Sequence, residues 1–159
     1  MIGNSTSHET FLRQAFAVAR RAQGHGNHPF GAILVDAKGV VLLEVENGFM
    51  PGRDRTAHAE RLLATQASQA HDAQFLMGCT LYSSAEPCAM CSGAIYWAGI
   101  GRVVFGLTER RLKTMTGNHD ENPTMDLPCR TVFAAGQRPV EVIGPLLEDE
   151  AAVLHVGAW

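Results

Sequence analysis

The feature that most constrains this chain is a pair of short motifs, His58-Ala59-Glu60 and Pro87-Cys88-Ala89-Met90-Cys91. A fold that uses them as one unit must bring together two segments separated by a moderate gap. One imidazole and two thiolates are good zinc ligands, and three protein ligands leave one position of a tetrahedral zinc open, which separates a catalytic metal from a structural one. Glu60 is then a carboxylate beside the metal that is not needed as a ligand. Cys88 and Cys91 stand at i and i+3, so on a helix they share one face. Pro87 suits the first turn of that helix, where a missing N–H costs nothing, and the helix dipole favours thiolates there. His58 must come from elsewhere, most simply from the start of a second helix packed beside the first.

Each motif alone is weak. A Cys-x-x-Cys pair is equally a redox pair, part of a structural zinc site or two packed cysteines, and His-Ala-Glu by itself says little. The rest of the chain narrows the choice. Its 159 residues fit a single domain over 1–159, with 46% hydrophobic and 18% charged residues. No apolar run reaches the length of a membrane span, and the first residues lack a basic segment followed by an apolar core, so a cytoplasmic protein without membrane contact is expected. Of four cysteines, Cys79 and Cys129 read as buried thiols rather than ligands. The net charge of −3 argues against a grip on a large polyanion, leaving room for a local basic patch.

Apolar periodicity predicts a helix over 8–23, a hairpin of strands 30–36 and 40–45, a loop over 47–55, and a helix over 56–70 with His58 and Glu60 in its first turn. A strand over 80–83 leads to a helix over 87–98, apolar almost all round and so expected to be buried. A strand over 102–106 follows, parallel to the previous one. Residues 108–126 read as a loop after a helical turn, 127–135 as a short helix, 140–143 as a strand and 146–156 as a terminal helix. The expected class is α/β, a three-layer α-β-α arrangement with a mixed, mostly five-stranded sheet. Both metal-bearing helices would start near strand ends, where open α/β sheets place ligands.

The two motifs together, in this order and with proline before the first cysteine, match the zinc deaminase signature. The chain resembles the cytidine deaminase superfamily in the branch of guanine deaminases and tRNA adenosine deaminases. The likeness rests on PFGAILV at 29–35, Asn47, the 54–60 segment, SSAEPCAMCSGAIYWA at 83–98 and RVVFG at 102–106. It covers 8–107 and fades over a variable part, 108–159. The resemblance implies a cytidine deaminase-like fold and one Zn2+ per subunit on His58, Cys88 and Cys91. It also implies hydrolytic removal of an amine as ammonia, with Glu60 as proton shuttle, and a homodimer. Substrate contacts would come from Asn47, Phe30, Ala59 and Ala85, with His28 and Glu109 as lesser candidates.

These side chains also have plainer readings. Asn47 could be a turn residue, Phe30 core, and His28 part of a loop. Glu86 reads as a cap or a residue that orients the site through its backbone. Glu109, Asp120 and Asp126 could read an exocyclic amine or be solvated, and Tyr96 and Trp97 read as core or subunit interface. A free base or nucleoside, guanine-like purine first, is the expected substrate, because the segments around Phe30 and Tyr96 look more like those of guanine deaminases. Arg55 stands where the family commonly has proline, and the last third does not match the usual guanine deaminase ending. The alternative is adenosine in a tRNA loop, with Arg102, Arg110, Arg111 and Lys113 as a phosphate patch or a solvated charge run. A third reading, a zinc-stabilised binding protein, would need a fourth ligand such as Cys129.

Overall fold

A computed structural model describes residues 5–117 and 119–159; Asn118, within the expected 108–126 loop, lies outside them. After α1 (Ser5–Gly24) come β1 (Gly31–Val35), β2 (Val41–Glu46), α2 (Ala59–Ala70), α3 (Ala73–Met77), β3 (Thr80–Ala85) and α4 (Ala89–Ala98). The chain continues through β4 (Arg102–Leu107), α5 (Glu109–Thr116), α6 (Cys129–Ala134), β5 (Glu141–Ile143) and α7 (Glu148–Val153). The five strands form one sheet in the order β2-β1-β3-β4-β5. β1 runs antiparallel to β2 and β3, whereas β3, β4 and β5 run parallel, as the mixed sheet required.

The three layers follow from the two-residue period of the strands. Ile33, Val35, Tyr82 and Val104 point to one face and pack with Leu12, Phe16 and Ala19 of α1 and Ala151 of α7. Ala32, Leu34, Leu81, Val103 and Phe105 point to the other and pack with Leu63 of α2, Ile95 of α4 and Phe133 of α6. Each fully buried Leu or Ile contributes about 1.5–3 kcal/mol. β1 is buried along its whole length, which explains its unbroken apolar run. Gly31 permits the closest approach: a Cβ there would collide with the backbone of Ala15, Val18 and Ala19, so any side chain would push α1 off the sheet.

Several boundaries differ from expectation. α2 begins at Ala59, with His58 at its N-cap in extended conformation, and α4 begins at Ala89, with Cys88 at the N-cap. Pro87 therefore precedes the helix rather than occupying its first turn. α4 is not buried all round, since Trp97 is 85% exposed. Residues 109–116 form a two-turn helix where mostly loop was expected, capped by Thr108 Oγ1 accepting from the Arg111 N–H. α3 was not expected; Asp72 caps it by accepting from the Phe75 N–H. No helix among the described residues is long and apolar enough to cross a membrane.

Candidate active site

β3 delivers the chain to α4, and α2 packs along α4, so the two helix starts meet with His58 and Cys88 at their caps. His58 Nδ1 lies 3.5 Å from both Cys88 Sγ and Cys91 Sγ, and all three donor atoms fall within 4.8 Å of one another. Zinc–nitrogen and zinc–sulfur bonds at a tetrahedral angle put their donor atoms about 3.6 Å apart. The donor set is therefore already at the spacing a zinc ion needs. Cys129 does not belong to the cluster; it is fully buried elsewhere. Among the described residues no fourth protein ligand closes the site, which removes the basis of the structural-zinc reading.

The donor cluster is electrostatically organised. The Cys91 thiol donates to Cys88, and this bond, together with His58, pulls Cys88 down to about 4. The same bond and burial push Cys91 well up, and the bond to Cys88 raises His58. Metal capture by this donor set would release whatever protons its thiols and imidazole carry. Glu60, in the first turn of α2, is 5% exposed. Burial pushes it up to about 7, with His58 opposing that rise.

These groups form the floor of a cavity of about 680 Å³. Phe30, Asn47, Ala85, His28 and Glu109 all line it. Ala59 does not; it is fully buried and its methyl packs in the core under α2. Asn47 takes the turn position and also lines the cavity. Its Oδ1 accepts from the Phe49 N–H at 2.9 Å in a turn, which leaves the amide NH2 for a ligand. His28 is a wall residue rather than a simple loop residue, bonded through Nε2 to Glu121 Oε2 at 2.6 Å. Glu109 is 5% exposed, and burial with the nearby negative charges of Cys88, Glu60 and Glu86 raises it to about 8.

Glu86 acts through its side chain, not as a cap of α4. Its two carboxylate oxygens accept the Glu109 N–H at 3.0 Å and the Cys129 N–H at 2.8 Å, while its own N–H donates to Leu107 O at 2.7 Å. This carboxylate fixes the first turn of α5 and hence Glu109. Asp120 lines the cavity, whereas Asp126 pairs with Arg110 and Lys113. Arg102 pairs with Glu141, and Arg111 with Glu148 and Asp149, so the proposed phosphate patch is neutralised by its own acids. Tyr96 is half-buried and accepts the Gln137 N–H, but Trp97 is on the surface and not core.

Sequence reasoning missed the outer wall. Glu121 and Trp159 both line the cavity, from segments that showed no motif. The available signal was slight: a tryptophan directly after the small pair Gly157-Ala158, in a chain with two tryptophans.

The family described as the cytidine and deoxycytidylate deaminase zinc-binding region matches residues 5–107. The chain is 43% identical over 150 residues to a probable cytosine deaminase of Schizosaccharomyces pombe, covering 94% of this chain and 90% of that protein. It is 37% identical over 103 residues to a tRNA-specific adenosine deaminase of Aquifex aeolicus, covering 65% of this chain and 68% of that one. The solved guanine deaminase of Nitrosomonas europaea superposes with a TM-score of 0.77 at 27% identity, over 94% of this chain and 83% of that one.

Proposed function

The chain belongs to the cytidine and deoxycytidylate deaminase zinc-binding family, a hydrolase acting on C–N bonds of cyclic amidines, and on that premise we propose that it deaminates a free nucleobase. The single observation that carries this reading is Glu60 buried beside the preformed His58, Cys88 and Cys91 set, on the floor of an acid-lined cavity. Zinc held by those three residues supplies the Lewis acidity that makes water a nucleophile at neutral pH. Glu60, raised toward neutrality by burial, takes a proton from the attacking water and passes it to the ring nitrogen next to the amine-bearing carbon. It then takes the second proton of that water, from the hydroxyl now on the carbon, and delivers it to the departing amine. Water and the amino base are converted to the oxo base and ammonia, and Glu60 ends as it began.

Asn47, Glu109 and Phe30 line the cavity where the ring would sit, Phe30 offering an aromatic face. The N–H and amine edge of a guanine-like purine, the first candidate, carries two donors, and the Glu109 carboxylate, once ionised, would accept from both. Cytosine is the second reading. It is favoured because the match to the probable cytosine deaminase covers 94% of the chain and so includes the segment after Leu107. Charge speaks against tRNA: Asp54, Glu86, Asp120 and Glu121 line the cavity against Arg55 as its arginine.

The test is ammonia release from the zinc-loaded protein with guanine, cytosine, adenine, their nucleosides and unmodified tRNA. Turnover of a free base is expected; turnover of tRNA alone would overturn the proposal. The reading extends to a homodimer through Trp97 and Met90 on the exposed side of α4, since Ile95 and Ile100 are buried within the chain's own core. Sedimentation should show a dimer that Trp97→Glu dissociates. A reducing, cytoplasmic setting suits four cysteines that carry no disulfide.

A further inference from the structure

We infer that Trp159 is a specificity-determining residue, an indole wall that restricts the catalytic cavity to heterocycles without a sugar. The inference rests on the free-base reading above and names the group that enforces it.

The indole is held on several sides. His28 stacks on one face with centroids 3.8 Å apart and planes 11° apart. His155 lies within 8° of the indole plane at 6.0 Å, and the indole Nε1–H donates to His155 Nδ1 at 3.1 Å. An in-plane hydrogen bond between nearly coplanar rings is an edge-to-edge contact, so His155 pins the indole edge rather than covering its face. His119 meets it edge-on at 5.4 Å. With Nδ1 accepting, His155 carries its proton on Nε2, which is buried and has no partner among the described residues. The fold tolerates that unpaired group to hold the indole in place.

His28 is in turn tied to Glu121. Trp159, His28 and Glu121 thus form a connected wall drawn from three distant parts of the chain, and each lines the same cavity as His58 and Glu60. One indole face is already occupied by His28, so Trp159 works by excluding volume, while Phe30 remains the ring available for stacking. A fixed wall discriminates by shape: it admits a planar base and rejects the same base carrying ribose.

The test compares Trp159→Ala and Trp159→Phe with the parent on guanine against guanosine and cytosine against cytidine. Parent protein is expected to turn over a base and not its nucleoside. Trp159→Ala should raise the nucleoside-to-base ratio of kcat/KM by about tenfold or more, the size of a steric discrimination, with Trp159→Phe in between. A ratio unchanged in Trp159→Ala, or an equal loss on both members of a pair, would overturn the inference and leave Trp159 a structural anchor.

A second readout does not depend on turnover or on the stability of the alanine variant. Trp97→Phe leaves Trp159 as the sole tryptophan, and its fluorescence should respond to guanine or cytosine and not to guanosine or cytidine. No response to either base, or equal responses to base and nucleoside, would refute the wall. A base-specific response without ammonia release would instead sink the deaminase reading and keep the wall.

Discussion

Replacing Glu86 by alanine tests how the last third of the chain is fastened to the metal site. The wild-type carboxylate is buried, 6% exposed, and receives two backbone N–H groups, from Glu109 and Cys129. Neither N–H has an alternative acceptor in the hydrogen-bond pattern of α5 or α6, because both lie in first turns, where helical N–H groups lack internal partners. Losing one such bond to a charged acceptor and leaving its donor buried costs about 1.5–3 kcal/mol. Two of them give about 3–6 kcal/mol, and for a chain of this size each kcal/mol lowers Tm by about 2–4 °C, so a drop on the order of 10 °C is expected. Thermal unfolding followed by circular dichroism measures this. Because α5 carries Glu109 into the cavity, kcat/KM should fall as well, while zinc content measured by atomic absorption stays at one ion per chain, the ligands being on α2 and α4. A Glu86→Ala protein with Tm within about 1 °C of the parent would show that the two N–H groups find other partners, and the fastening argument would be wrong.

Glu60→Gln should reduce ammonia release by roughly 10²–10⁴-fold, the usual range for a lost general acid–base, with zinc stoichiometry unchanged. Cys91→Ser should lose zinc, and chelation of the parent should lower Tm by on the order of 10 °C, read by differential scanning calorimetry. His155 is lowered to about 4 by burial. Its unfolded form binds a proton near 6.5, so between those values the unfolded chain holds more protons than the folded one. Stability from this group is full above pH 6.5 and declines as pH falls toward 4; His155→Gln should flatten that part of the urea-midpoint profile, and an unchanged slope would place the titration elsewhere.

The floor of the site was legible because zinc chemistry demands fixed residue types at fixed spacing, and the Cys88 and Cys91 interval survives in any helix. The wall was not. Glu121, His28 and Trp159 are neighbours only after folding, and no local pattern records that Trp159 will lie 3.8 Å from His28. α5 was read mostly as loop because its exposed face is charged and Gly117 follows it; the sign of a helix was its cap, Thr108 three residues before Arg111. Pro87 was placed inside α4 on its propensity for a first turn, but Cys88 takes the cap and displaces it outward. On an apolar α4, Trp97 reads as core or subunit interface; its exposure removes only the first, because apolarity alone does not say which side of a helix faces its own sheet.

The Glu86 bracket separates two jobs along the chain. The metal-ligand set and the proposed proton shuttle Glu60 precede residue 107, while Glu109, Asp120, Glu121 and Trp159 follow it and line the walls. One buried side chain joins the two parts through main-chain N–H groups, which every residue except proline possesses. Such a joint is indifferent to the sequence it holds. On the proposed reading, mutations after residue 107 would retool substrate choice without disturbing the reaction, and inherited chemistry with drifting selectivity is the evolutionary path this architecture leaves open.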